Sequence, residues 1–195
     1  MPKRRGTARR FSLFEAMSQP AARSANLLGT VGLAVSDRIR TAGEDELGLG
    51  GSAPIALVAL STYLADRPLD EIADAFGVTA SAVVRLVDRL VQEGLAERRP
   101  GPDRRRVSVR LTAKGDRRAK AILARREQEL AGVLGVLSAA EQRELTRLHE
   151  KLLARIPDGV PDARRVCRYC DVHASGHYDG RCPVTRGIDE RGLRD

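Results

Sequence analysis

The residues best suited to chemistry lie near the end of the chain. All three cysteines follow position 166, in the pattern Cys167-x2-Cys170-x6-His177-x4-Cys182, with His173 inside it. Three thiols and an imidazole within sixteen residues, opened by a CxxC, are the donor set of a tetrahedral zinc site. The expected ligands of one zinc per chain are Cys167, Cys170, Cys182 and His177, with His173 or Asp171 as substitutes for His177. A metal can fold a segment that has too few aliphatic residues for its own core. The same spacing admits other readings: a Cys167–Cys170 disulfide switch, an iron–sulfur cluster completed by a non-Cys ligand, or an unstructured tail with reduced thiols. A thioredoxin-like oxidoreductase does not fit, because no βαβ unit surrounds this CxxC.

The second concentration of chemistry is cationic. Lys and Arg number 34 against 26 Asp and Glu, a net charge of +8 over 195 residues. Between Arg85 and Arg118 eleven cations face five acids, so this one stretch carries +6 of the +8. An acidic partner follows, nucleic acid first and an anionic membrane surface second. Aromatic residues are 3% with no Trp, which argues against single-strand binders that stack bases on aromatic platforms. No apolar run reaches membrane-spanning length, and the basic N-terminus MPKRRGTARRF lacks the apolar stretch of a secretory signal. The expectation is a cytoplasmic protein with no membrane partner. No Ser/His/Asp or phosphate-loop pattern is present, so no enzyme is expected.

The elements that must position the cations follow from periodicity. Residues 1–20 read as a flexible basic arm. A helix is predicted over about 22–42 from Leu27, Leu28, Val31, Val35 and Ile39. The Gly-rich stretch 43–52 breaks it, and a short apolar helix follows near Pro54–Leu64 with Pro54 in its first turn. Asp70 and Glu71 suit a helix N-terminus, Gly77 its end, and Thr79 the cap of a second helix. That second helix buries Val83, Val87 and Leu90 and presents Ser81, Arg85, Asp88, Arg89 and Gln92. Two helices joined by a Gly-containing turn make a helix-turn-helix. Next, Val107, Val109 and Leu111 alternate with Arg106, Ser108 and Arg110, the pattern of a half-buried strand paired across a Pro100–Asp103 turn. This hairpin is a basic wing. Helices over 113–137 and 138–157 follow, the first capped by Thr112 and the second opened by the capping box Ser138–Glu141. Leu145, Leu148, Leu152 and Ile156 form the stripe of the last one.

The fold class is therefore mainly α with a small β-hairpin wing: a winged helix-turn-helix with a helical dimerisation region. Its divisions are an arm 1–20, a winged-helix domain 21–157 whose DNA-binding unit spans about 53–112, and a Cys/His-rich tail 158–195. Ser81 and Arg85 are placed to meet base edges in the major groove, and Thr79, Arg89 and Gln92 to hold phosphates. Arg104, Arg105 and Arg106 populate the wing, with Arg105 the candidate for an adjacent minor groove. The long striped helices need something to bury against, and a second copy supplies it.

The run VVRLVDRLVQEGLAERRPGPDRRRVSVRLTAKG resembles the recognition helix, wing and following helix of MarR-type transcriptional regulators. The specific parts are the DRL-x3-GL helix end, Asp103-Arg104-Arg105 at the wing tip, and Leu111-Thr112-x2-Gly115. Helix order matches over about 22–157 and motifs over about 69–115. The resemblance implies a homodimer whose first and last two helices join the copies and whose wings straddle a pseudo-palindromic operator on double-stranded DNA. It implies that Arg105 enters the minor groove and Asp103 holds the wing. Many members are repressors released by a small-molecule inducer or by cysteine oxidation. The peroxide-sensing branch, with its reactive Cys in the first helix, is not matched here. The expected function is a repressor modulated by a ligand, metal or redox signal. Its rivals are a sequence-independent architectural DNA-binding protein, a regulator whose cysteine tail is a thiol switch, an interaction module whose tail recruits a protein, and a metal-handling enzyme.

Overall fold

The computed structural model describes residues 18–101 and 106–193. Eight helices and a hairpin follow one another along the described chain: α1 Gln19–Leu47, α2 Ala53–Leu60, α3 Leu69–Phe76, α4 Ala80–Gln92, β1 Ala96–Pro100, β2 Val107–Leu111, α5 Ala113–Leu134, α6 Ala139–Leu153, α7 Val160–Cys167 and α8 Pro183–Glu190. The chain divides into two compact units at Arg38 and Ile39. The described part of the first is the leading stretch of α1, where Leu27, Leu28, Val31 and Leu33 are all exposed.

The second unit is built around α2. That helix is apolar on every side, and all but one of its residues are buried, as a helix without a polar face must be. Around it close Leu64, Ile72 of α3, Val83, Val87 and Leu90 of α4, Val109 of β2 and Ile122 of α5. Each such side chain contributes about 1.5–3 kcal/mol by leaving water. The strands pair antiparallel from Ala96↔Leu111 to Pro100↔Val107.

Local caps follow the sequence closely. Thr112 accepts from Gly115 N at 3.1 Å, and Ser138 with Glu141 forms the reciprocal capping box. Three expectations are corrected. First, α1 continues to Leu47, so Gly43 lies inside it instead of ending it. A Cβ there would stand 2.4 Å from the Tyr169 hydroxyl, so the glycine is a seat for that ring. The helix stops at Gly48, where φ is +74°. Second, Val107 is exposed and Ser108 is buried, the reverse of strict alternation. Ser108 is covered because Pro68 bridges to it, and its hydroxyl donates to Arg99 O. Third, the tail is no separate appendage. Tyr169 belongs to the main core and donates to Ile39 O at 3.3 Å. α7 packs on α3, and α8 packs on α6 with Gly187 against the Ala154 backbone.

Candidate nucleic-acid interface

The turn between α3 and α4 is set by two residues. Gly77 adopts φ +63°, ψ +36°, and the Val78 amide donates back to Ala73 O at 3.1 Å. Thr79 then caps α4 by accepting from Ala82 N at 3.3 Å. With Val83, Val87 and Leu90 locked in the core, the opposite side of α4 is left in water. Ser81, Arg85, Arg89 and Gln92 are all exposed there. Ser81 Oγ lies 3.1 Å from Thr79 Oγ1. Arg89 donates to Gly50 O at 3.4 Å, while Arg85 makes no ion pair or hydrogen bond with any described residue. Val84 is 39% exposed beside Ser81 and Arg85. It was missed in the sequence because apolar residues are read as core; its helical offset from Ser81 and Arg85 is the signal that places it on the outer face.

The hairpin carries its arginines in ion pairs. Arg98 meets Asp88 of α4 at 2.7 Å, Arg99 meets Glu97 at 2.5 Å, and Arg106 meets Asp70 of α3 at 3.0 Å. Arg110 pairs with Asp66 through two hydrogen bonds, and this holds the Asp66 carboxyl below the usual carboxylate range. The base of the wing is fixed to the recognition helix. Thr112 Oγ1 donates to Gly94 O at 2.8 Å and Lys114 Nζ to Glu93 O at 2.7 Å. Gly115 is required because a Cβ would lie 2.0 Å from Leu95 O. Lys114, one of the eleven cations between Arg85 and Arg118, is thus engaged at a helix C-terminus. Asp103, Arg104 and Arg105 lie outside the described residues.

The tail and the segment after α2 line a half-open cavity of about 260 Å³. Cys167, Cys170, Cys182 and His177 all line it, together with Tyr63, which follows α2. All three thiols are free. Burial, reinforced by the neighbouring thiols, pushes the Cys167 thiol up to about 12, and burial raises Cys170 as well. The expected ligand set is brought to one cavity but is not drawn together: among the described residues, no three His, Cys, Asp or Glu side chains are grouped as metal ligands would be. The substitutes are engaged elsewhere. Asp171 Oδ1 accepts from His173 N and Ala174 N, while both imidazoles stand against the Tyr178 ring, His173 at 5.1 Å and His177 at 5.5 Å.

These features can be set beside known proteins. A profile of the MarR family matches residues 47–106, from the end of α1 to the wing. The MarR family protein Rv2887 of Mycobacterium tuberculosis, solved in complex with DNA, is 30% identical over 66% of this chain and 95% of its own, with a TM-score of 0.54. The chain belongs to the MarR family. YusO of Bacillus subtilis is 25% identical, with a TM-score of 0.55, over 71% of this chain and 99% of its own. Wild-type MarR from E. coli in its apo form is 24% identical over 65% of this chain and 96% of its own, and at a TM-score of 0.55 it shows the shared fold. No curated protein matches the sequence.

As a MarR-family transcriptional regulator, the chain has the family's DNA-binding architecture, a winged helix-turn-helix. These relatives are matched almost end to end yet leave close to a third of this chain without a counterpart. Among the described residues no helix is long and apolar enough to cross a membrane.

Proposed function

We propose that this MarR-family protein is a homodimeric repressor that binds a palindromic operator in double-stranded DNA. The observation that carries the reading is the outer face of α4, where Ser81, Val84 and Arg85 are exposed together on a helix whose other side is locked in the core. Arg85 suits the O6 and N7 atoms of guanine, Val84 a thymine methyl and Ser81 a base edge, while Thr79, Arg89 and Gln92 suit phosphates. The basic hairpin beside α4 suits the flanking groove, with Arg106 at its described end. The solved DNA complex of Rv2887, 30% identical, supports the same use of the surface here.

Dimerisation is supported by apolar side chains that nothing described covers. No residue of α6 is buried, and Leu148, Leu152 and Ile156 stand 41–57% exposed at one-turn spacing. In α1, Leu27, Leu28 and Val31 are 46–55% exposed. A second copy of the chain buries both stripes, and a two-fold dimer sets two recognition helices about one DNA turn apart.

Selection of bound duplexes from a random pool tests this. The expected result is an inverted repeat with half-sites about 10 base pairs apart. Arg85→Ala loses about 1–3 kcal/mol on that sequence with little change on unrelated DNA. Placing the selected sequence over a promoter then lowers transcription in vitro. A pool that yields no enriched sequence refutes the proposal in favour of an architectural binder.

A further inference from the structure

The cavity in the tail has walls of unlike attachment. α7 and its CxxC are held to α3: Tyr63 donates to Arg164 O at 2.8 Å, Arg164 meets Glu71 at 3.4 Å, and Arg165 Nε donates to Asp74 O at 3.3 Å. Cys182 sits at the start of α8, which is seated on α6 through Gly187. Between these two anchored arms the cavity is lined by Val160, Ala163, Val172, Val184 and Ile188, with the three thiols and one imidazole among them. Soft sulfur and nitrogen donors in an apolar pocket select a thiophilic transition metal over calcium or magnesium. Cys167 ends α7, and the Cys170 amide donates to Cys167 O at 2.9 Å, so a single turn presents the two thiols. His177 Nδ1 lies 3.4 Å from the Thr185 hydroxyl, the kind of partner that fixes a ligand ring and leaves Nε2 for the metal. His177 lines the cavity and His173 does not, which favours His177 as the fourth ligand.

We infer that Cys167, Cys170, Cys182 and His177 close around one zinc-class divalent ion, which ties the arm held by α3 to the arm held by α6. Closure requires the side chains to turn inward across a cavity they already line. On binding, the three thiols release their protons to solvent and become thiolates, leaving a four-coordinate centre of net charge −1. A disulfide uses only two of these thiols and leaves the third thiol and the imidazole without a purpose. The site stands independently of repression, because its test reads metal and not DNA.

The test uses the full chain, reduced and purified without added metal. Elemental analysis is expected to find about one zinc per chain, as a closed structural site holds it. Cobalt(II) added to the metal-free protein gives thiolate-to-cobalt charge transfer and tetrahedral ligand-field absorption. Cys182→Ser abolishes both. His177 is exposed, so His177→Gln leaves the fold intact; it weakens zinc binding about tenfold or more, while His173→Gln leaves it unchanged. A reduced protein with three free thiols that takes up neither zinc nor cobalt overturns the site. So does a Cys167–Cys170 disulfide in protein prepared without oxygen, or a loss of affinity that follows His173 instead of His177.

Discussion

The docking of Tyr169 under α1 yields a prediction with an unusual sign change. In Gly43→Ala the new methyl carbon starts 2.4 Å from the Tyr169 hydroxyl and 3.2 Å from Pro54 Cβ. An ordinary contact needs about an ångström more, so the hydroxyl must retreat. The ring is buried, with the Arg126 guanidinium 5.9 Å from its centre, so it moves only by giving up its bond to Ile39 O. Losing that bond costs about 1 kcal/mol and the overpacking about 1–2 kcal/mol. Replacing a mid-helix glycine by alanine returns about 0.5–1 kcal/mol. The net expectation is a destabilisation of about 1–2 kcal/mol, or some 2–8 °C in Tm for a chain of this size. In a Tyr169→Phe background the obstructing oxygen is gone and only the helix gain remains, so the same substitution becomes neutral or stabilising. The coupling is thus about 2 kcal/mol, read from thermal or urea unfolding of the four proteins at one protomer concentration. Equal destabilisation in both backgrounds refutes the seating of Tyr169 on Gly43.

Two further outcomes follow from pairs and contacts elsewhere in the fold. Because Arg110 holds the Asp66 carboxyl low, its ionised form stabilises the fold above the ordinary value of 3.8, and that contribution is lost as pH falls through the lowered value. Asp66→Asn, which keeps a residue tolerant of the +58° φ, removes this acid dependence and costs under about 1 kcal/mol at pH 7, since the pair is half exposed; an unchanged acid unfolding curve counts against the pair. Gly187→Ala drives a Cβ to within 2.1 Å of Ala154 O, a backbone atom that cannot swing away. Hydrogen exchange should then quicken across α8 while α4 keeps its protection, and uniform protection in the variant contradicts the packing.

What was legible in the sequence was local. Gly77, Thr79, Thr112 and the Ser138–Glu141 box act on backbone groups within a few residues, so their effects could be read before any packing was known. The buried face of α4 was equally legible because Val83, Val87 and Leu90 repeat at helical spacing. What escaped was set by distant partners. Gly43 fits the rule for a helix breaker, yet it lies inside α1, where its missing side chain leaves room for a tyrosine hydroxyl from far along the chain. Ser108 is buried because Pro68 lies over it, which no alternation within the strand encodes. The tail's attachment uses partners far away in sequence, among them Tyr169, whose bond to Ile39 spans 130 positions. Its candidate donors were named from spacing, with His177 ahead of His173, but that they line one cavity depends on packing that spacing does not encode.

The paired arginines of the wing alter how its charge is used. Arg98, Arg99, Arg106 and Arg110 each hold a carboxylate before DNA arrives. A phosphate that captures one of them displaces that carboxylate, which recruits a cation from solution as the phosphate gives one up. The exchange is then nearly balanced, whereas a cation with no carboxylate to give up frees about 0.9 of a counterion for each phosphate it neutralises. In the proposed mode of binding the wing therefore acts as a set of latches, and the number of ions released falls well short of the number of arginines that would touch DNA.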